Sequence, residues 1–438
     1  MTNTSKGEQG DRATRRDFLR GAGAAATAAF AASAFPGRRT PANANSRLGI
    51  GIIGCGSRGG GLTRTLLGLG DDGVEVVAVC DTYRPRMAAA AENSGAERQY
   101  MDHRELLDDP RVDAVIIATP DHVHGYQVID AANKGKHIFC EKPFTHWRQF
   151  ELTKQARNAV REAGVVFELG TQGMMDSSWR QARALVEQGL IGEPIHAECG
   201  YFRVGDWGER GMPVDDPDVE PGADLDWDAF LAGAPQRPFD VSRYFRWRLY
   251  EDYSGGPVTD LYPHSMTPAV YALGLGAPSH AVATGGIHRY DYPEREVPDT
   301  FNMIVEYPER VSVAVLGTQG NDYTATGSHS SLNRSPVLRG WEGSLIFDGD
   351  EVKFIPADGS DKEPRTVAVE DRGSGQQHMA NFVSALRGES EPVSDIELAY
   401  NVQTALHMAT LSYRRRITVQ YDPERETLVD HGGALLEA

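Results

Sequence analysis

From Leu48 onward, apolar positions come in short runs separated by turn residues and by stretches of helical period. Leu48–Ile53, Val74–Cys80, Val112–Ala118, His137–Cys140 and Val165–Leu169 are rich in β-branched residues, the mark of strands buried on both faces. Between them Leu62–Leu69, Pro85–Asn93, His124–Lys134 and Arg148–Ala163 read as helices, the second opened by its proline. This alternation predicts βαβ units with right-handed crossovers, and so a doubly wound parallel sheet. Past Leu169 the texture changes. Ser177–Gln188 is one more helix, and then longer alternating segments begin: Ile195–Tyr201, Ser279–Ile287, Thr300–Tyr307, Val311–Leu316, Gly343–Phe347 and Glu351–Ile355. Their pattern predicts a large, mostly antiparallel sheet in an α+β arrangement. Helices over Gln377–Leu386 and Asp395–Tyr413 close the chain, while Gly205–Asp224 and the polar Gly317–Ser335 read as long surface loops.

The N-terminal segment has a different character. Thr14-Arg15-Arg16-Asp17-Phe18-Leu19-Arg20 precedes an Ala-rich run, Gly21–Phe35, too short and too weakly apolar to span a bilayer. Charged, apolar and small-residue stretches follow in that order and end at Ala42-Asn43-Ala44, which reads as a twin-arginine (Tat) signal peptide. A disordered tail with a chance arginine pair is the alternative. The signal reading places the mature protein outside the cytoplasmic membrane, with no membrane attachment after cleavage.

At 438 residues the chain has material for two domains, at roughly 100–200 residues each. A formal net charge of -18 makes nucleic acid and anionic membranes poor partners. Cys55, Cys80, Cys140 and Cys199 lack metal-like spacing and fall in or beside strands and a glycine turn, so they are expected as buried free thiols. No His/Asp pair has compelling metal-ligand spacing, and no metal is expected.

Candidate chemistry begins at Gly54-Cys55-Gly56-Ser57-Arg58-Gly59, a G-x-G-x-x-G between a strand and a helix. Glycine permits the tight turn and close backbone approach, and a helix N-terminus offers free N–H groups to a pyrophosphate. Asp81 ends the next strand, where a carboxylate accepts ribose hydroxyls and favours NAD over NADP; Arg84 and Arg86 nearby weaken that preference. Glu141-Lys142-Pro143 follows a third strand, and Pro143 keeps Lys142 out of helical geometry at the crevice. Taken alone, Lys142 reads equally as a solvated lysine at a strand end. Asp260 and His264 share one face if a helix begins near Leu261. By spacing alone, an N-capping aspartate and an unrelated histidine fit as well.

These motifs, with Ala118-Thr119-Pro120-Asp121-His122-Val123-His124, Gly135-Lys136-His137, Gly170-Thr171-Gln172 and Gly189-Leu190-Ile191-Gly192, resemble the glucose–fructose oxidoreductase / inositol dehydrogenase (Gfo/Idh/MocA) family over roughly Leu48 to Gln420. Trp227, Pro238-Phe239, Arg246-Trp247 and Gly255-Gly256 resemble a secreted subgroup of it. The resemblance implies an α/β chain: a signal peptide over 1–44, an N-terminal Rossmann domain over 45–166, and over 167–438 an α+β domain with an open antiparallel sheet used for homo-oligomerisation. It implies Lys142, Asp260 and His264 as the catalytic set, with His264 the base, Lys142 the stabiliser of an alkoxide and Asp260 the group that orients His264. It implies cofactor contacts from Gly54, Gly56, Ser57, Arg58, Gly59, Asp81, Thr119, Pro120, His122, His124, Glu141, Lys142 and Gln172. Ser265-Met266-Thr267-Pro268 departs from the acidic residue that many members carry there. The expected protein is an exported oxidoreductase that moves hydride between a sugar, glycoside or polyol and a tightly bound, recycling NAD. The alternatives are a redox-neutral glycosidase or lyase, similar to NAD-dependent N-acetylgalactosaminidases, and a binding protein that keeps NAD as a structural element.

Overall fold

Six parallel strands, β1 (Leu48–Ile53), β2 (Val74–Cys80), β3 (Arg98–Tyr100), β4 (Ala114–Ile117), β5 (His137–Cys140) and β6 (Phe167–Leu169), form one sheet in the order β3-β2-β1-β4-β5-β6. The computed structural model describes residues 47–71, 73–323 and 336–436. The twin-arginine segment and part of the Gly317–Ser335 loop lie outside them. Strand order reverses between β1 and β4, so the C-terminal ends of these two strands flank the crevice where doubly wound sheets take ligands. β1, β4 and β5 are buried along their whole length, as expected for strands covered on both sides by helices.

The second sheet has eleven strands: β7 (Pro194–Val204), β8 (His280–Gly286), β9 (Thr300–Glu306), β10 (Ser312–Thr318), β11 (Gly320–Asn321), β12 (Val337–Gly340), β13 (Gly343–Asp348), β14 (Glu351–Pro356), β15 (Arg365–Ala368), β16 (Val419–Asp422) and β17 (Thr427–Val429). All its described pairings are antiparallel except β7 with β10. One face packs on the helices Ser177–Glu187, Tyr262–Leu273 and Ile396–Arg415, through Leu185, Met266, Val270, Phe301, Val313, Leu406 and their neighbours. On the other face lie Ile195, Val282, Ile304 and Ile355, all exposed.

The chain is less cleanly divided than its sequence order implies. β6 extends the parallel sheet beyond the expected limit at 166, and the late helix Gly375–Arg387 packs on that sheet. Phe382 of this helix is fully buried and meets the Phe139 ring of β5 edge-to-face at 5.6 Å. Its His378 lies 3.0 Å from the buried Glu168 of β6. The four cysteines are buried free thiols, as expected. The strands β3, β12, β15, β16 and β17, of three or four residues each, carry too little pattern to be read in advance.

Phe382→Ala is expected to cost about 3–5 kcal/mol, the usual range for emptying a buried aromatic site. Denaturant unfolding checks this. A loss below about 1 kcal/mol would show that the late helix is not part of the parallel-sheet core.

Candidate active site

The turn after β1 is built by glycines. Gly54 sits at φ +93°, and a Cβ there would lie 2.7 Å from the Ala118 carbonyl carbon; a Cβ on Gly59 would lie 1.9 Å from the Gly54 oxygen. No other residue lets β1 pass this close to the end of β4 and enter the helix Ser57–Leu67. That helix points its free N–H groups at a cavity of about 820 Å³, within the usual range of roughly 300–1,000 Å³ for small-molecule sites. Gly54, Gly56, Ser57, Arg58, Asp81, Thr119, Pro120, Glu141 and Lys142 all line it. Glycine turn, helix N-terminus, carboxylate and cavity volume together fit a dinucleotide.

Asp81 stands at one end of the cavity. Its carboxylate accepts the backbone N–H of Cys55 at 2.6 Å and of Tyr83 at 2.9 Å. Burial pushes its pKa up, against these two donors and the charge of Arg86. Arg86 is committed elsewhere: its Nε donates to Asp215 at 2.5 Å and its guanidinium lies 5.0 Å from the Phe245 ring. Arg84 donates to the Ala223 carbonyl at 3.2 Å.

At the other end, Lys142 leaves β5 before a cis peptide to Pro143. Its Nζ donates to the Asp260 carbonyl at 2.7 Å and to the Asp260 carboxylate at 2.6 Å. Asp260 is delivered by Gly255-Gly256. Gly256 adopts φ +72°, Pro257 opens the short helix Pro257–Asp260, and a second helix starts at Tyr262. Arg248 Nε lies 3.4 Å from the same carboxylate. Burial works against ionisation of Asp260, but Lys142 and Arg248 outweigh it and hold the carboxyl well below the usual range. Besides the expected role toward His264, the Asp260 carboxylate thus grips Lys142 and lies beside Arg248. His264 follows in the next helix, and both residues are only 9% exposed.

Four expected cofactor contacts, Gly59, His122, His124 and Gln172, fall outside the cavity wall, and Asp260 and His264 stand behind its lining. His122 is buried with its ring nitrogen 2.7 Å from the Phe230 carbonyl; His124 is held between the carbonyls of Thr119 and Pro143, at 2.9 and 2.7 Å. Burial lowers both pKa values, that of His122 to about 4, and both rings are held by backbone carbonyls. Gln172 opens a short 3-10 turn after β6, away from the lining. Gly59 acts by packing under the turn.

The sequence reading missed Asp121 and Arg248, and it missed the role of residues 205–253. Met212, Pro213, Phe230, Tyr244, Phe245 and Trp247 wall the cavity opposite the glycine turn. This segment carries its own core of Trp227, Phe230, Tyr244, Phe245, Tyr250 and Tyr253, joined by Tyr83 from beyond β2. It is pinned to the cavity rim by Asp226 N–H to Thr82 O at 2.9 Å, Arg84 N–H to Asp224 O at 2.8 Å, and Thr82 to the Tyr244 hydroxyl at 2.8 Å. Its aromatic content was the available signal; its docking site, more than a hundred residues away in sequence, was not.

Comparison with known proteins agrees with this geometry. The family model described as "Oxidoreductase family, NAD-binding Rossmann fold" matches residues 48–171, and that described as "Oxidoreductase family, C-terminal alpha/beta domain" matches 175–283, together more than half of the chain. The chain is 26% identical over 362 residues to scyllo-inositol 2-dehydrogenase (NAD(+)) of Bacillus subtilis (strain 168), covering 81% of this chain and 90% of that protein. It is 30% identical over 283 residues to levoglucosan dehydrogenase of Pseudarthrobacter phenanthrenivorans, covering 60% of this chain and 63% of that protein, less than two thirds of its length. A solved structure of levoglucosan dehydrogenase in complex with NADH shares the fold, with TM-score 0.64 at 20% identity over 86% of this chain and 99% of that one.

Asp81 is expected to repel the extra phosphate of NADP, because Arg86 is already paired. Nucleotide extracted from the purified protein and identified by mass should be NAD; NADP alone would contradict this. Asp81→Asn, which keeps the shape and removes the charge, should narrow the NAD preference on the order of tenfold, about 1.4 kcal/mol.

Proposed function

The chain belongs to the Gfo/Idh/MocA oxidoreductase family with an NAD-binding Rossmann fold, and from that membership we propose that it oxidises a hydroxyl of a sugar, glycoside or polyol, outside the cytoplasmic membrane, with an NAD it does not release between turnovers. The observation that carries the chemical part is Lys142, held against Asp260 at the inner end of the cofactor cavity with its side chain only 12% exposed. NAD supplies the hydride acceptor. Gly54, Gly56 and Ser57 with the following helix N-terminus would hold its pyrophosphate, and Asp81 its adenosine ribose. His264 removes the hydroxyl proton. Lys142 meets the oxygen as negative charge grows on it, and the low exposure strengthens that interaction. Asp260 fixes the lysine against rotation.

Retention of the cofactor is supported by the segment 205–253, whose aromatic core is docked over the Asp81 end through backbone hydrogen bonds. Export is supported by Arg15-Arg16 and the Ala-rich run behind them. A nucleotide carried outside the cytoplasm has no obvious pool to exchange with. It must be regenerated in place, by reducing a second substrate or by returning hydride to the first. Self-association through a second copy of the chain is supported by the exposed Ile195, Val282, Ile304 and Ile355. Ile304→Glu should lower the assembly size in light scattering, and an unchanged size would exclude this face.

Two experiments test the rest. Protein purified without added cofactor and dialysed extensively should keep near-stoichiometric nucleotide and reduce it with cyclic polyols or anhydro sugars; a protein that emerges empty contradicts retention. Release of an aryl leaving group with no net change in the nucleotide would favour glycoside cleavage. Lys142→Met and His264→Ala should each lower turnover on the order of 10²–10⁴-fold while folding and nucleotide content persist. Asp260 keeps Arg248 when Lys142 is gone. Near-normal turnover in either variant would move the chemistry elsewhere.

A further inference from the structure

We propose that Asp121 is a proton-holding group of this active site, taking up the proton that the substrate hydroxyl loses; the proposal rests on the oxidoreductase reading of the same site. Asp121 opens the helix Asp121–Asn133, is 2% exposed, and lines the cavity together with Lys142 and Arg248. Asp260 stands just behind that lining, against the same Lys142 and Arg248, and the two cations are not shared evenly between the two carboxyls. Lys142 spends its hydrogen bonds on Asp260, and Arg248 pairs with that carboxylate as well. Among the described residues no cation lies within ion-pair distance of Asp121. Its hydrogen bond is a long one from the Thr259 hydroxyl, 3.4 Å, and that hydroxyl is equally far from the Gly256 carbonyl.

A carboxyl shut away from water beside another carboxylate, with the nearby cations committed, favours its protonated form. The groups facing it are Lys142 beyond β5, Arg248 from the docked segment, and Asp260 with Thr259 from the Pro257–Asp260 helix. On its own helix, His122 and His124 point to backbone carbonyls, and burial lowers the pKa of each. Burial raises the Asp121 pKa most; Arg248 opposes this and the Asp260 charge adds to it, leaving Asp121 at about 7 while Asp260 stays well below the usual range. Such a divergence within a pair separates the group that carries protons from the group that carries charge. The helix N-terminus favours the anion but is the smaller effect.

The bookkeeping is simple. The C–H hydrogen leaves with its electron pair for the oxidised nicotinamide. The O–H pair becomes the second C–O bond. The released proton is taken up by Asp121 where it is ionised, at and above neutrality; the carboxylate becomes a carboxylic acid and later gives the proton to water. Proton donation from Asp121 serves the reverse reaction.

The test compares the nucleotide-loaded full-length protein with Asp121→Asn and Asp121→Glu. Infrared titration from about pH 5 to about pH 9 should show a carboxylic-acid band that disappears near neutrality, and that is absent from Asp121→Asn. Wild type should also lose stability relative to Asp121→Asn as pH rises from about 4 to about 7, because only the folded state holds the proton in that window. With a verified substrate, Asp121→Asn should lower kcat on the order of 10²-fold, leave KM little changed and lose the inflection near neutrality, with partial rescue in Asp121→Glu. A titrating band that persists in Asp121→Asn, or an unchanged pH profile, overturns the proposal. If no alcohol reduces the bound nucleotide, the oxidoreductase reading fails, and with it the source of the proton; the infrared band still decides separately whether Asp121 titrates.

Discussion

Everything at this site depends on the grip of Lys142 on Asp260. The lysine comes from the end of a strand in the parallel sheet, and the aspartate from the turn that enters the helix under the second sheet. The lysine depends on that carboxylate, whereas Asp260 also has Arg248 within 3.4 Å. An isolated buried ion costs several kcal/mol, and removing one partner of a buried pair typically costs about 3–5 kcal/mol because the other is left uncompensated. The two halves of the chain must therefore close to within hydrogen-bond distance, and closing them completes the site. Gly256 makes the approach possible: at φ +72° it lets the backbone turn into the Pro257–Asp260 helix with the carboxylate aimed at the lysine, and a Cβ there would lie 2.9 Å from Val297.

The same neighbourhood shows how one local environment gives two carboxyls opposite properties. Asp260 and Asp121 are both withdrawn from water. What differs is possession of the cations. Asp260 has two donors within 3.4 Å, and Asp121 has a threonine hydroxyl. Burial penalises both, so the balance is set by short-range pairing, and a change of a few ångströms in the position of Arg248 would redistribute it. Arg248 is in turn held over the Trp247 ring at 4.3 Å, in the segment that walls the cavity. The aromatic core of that segment thus reaches the chemistry as well as the cofactor.

How much of this was legible follows from the range over which each signal acts. β1, β2 and β5 were readable to the residue, because buried parallel strands are short, mostly apolar runs, and β1 ends at a glycine turn that backbone sterics require. Lys142, Asp260 and His264 were singled out by family resemblance, while the contact between Lys142 and Asp260 spans 118 residues and no local pattern announces it. His122 and His124 were open between cofactor contacts and ordinary loop histidines for a related reason. They follow a strand end, where ligand contacts are common, but helix geometry turns them inward onto backbone carbonyls. Asp121 was quoted within the same motif and passed over, because its distinction comes from Arg248 and Thr259, both remote in sequence.

The docked segment ties these points together. Residues 205–224 look like a surface loop because they are rich in Asp, Gly and Pro, and indeed they carry no regular element. A loop of that composition orders only if something else bears the entropy of fixing it. Here the short helices Trp227–Leu231 and Val241–Phe245 bring Trp227 and Phe230 into a stacked pair, 5.1 Å apart, with Tyr83 joining from the parallel-sheet domain. The loop is then stitched down by Arg84 and Arg86, the two arginines beside Asp81. Arginines that would otherwise be free to greet a second phosphate are consumed in closing the wall. The charges beside Asp81 and the closure of the cavity wall are thus set by one group of contacts, and a chain that loosened the segment would change both together.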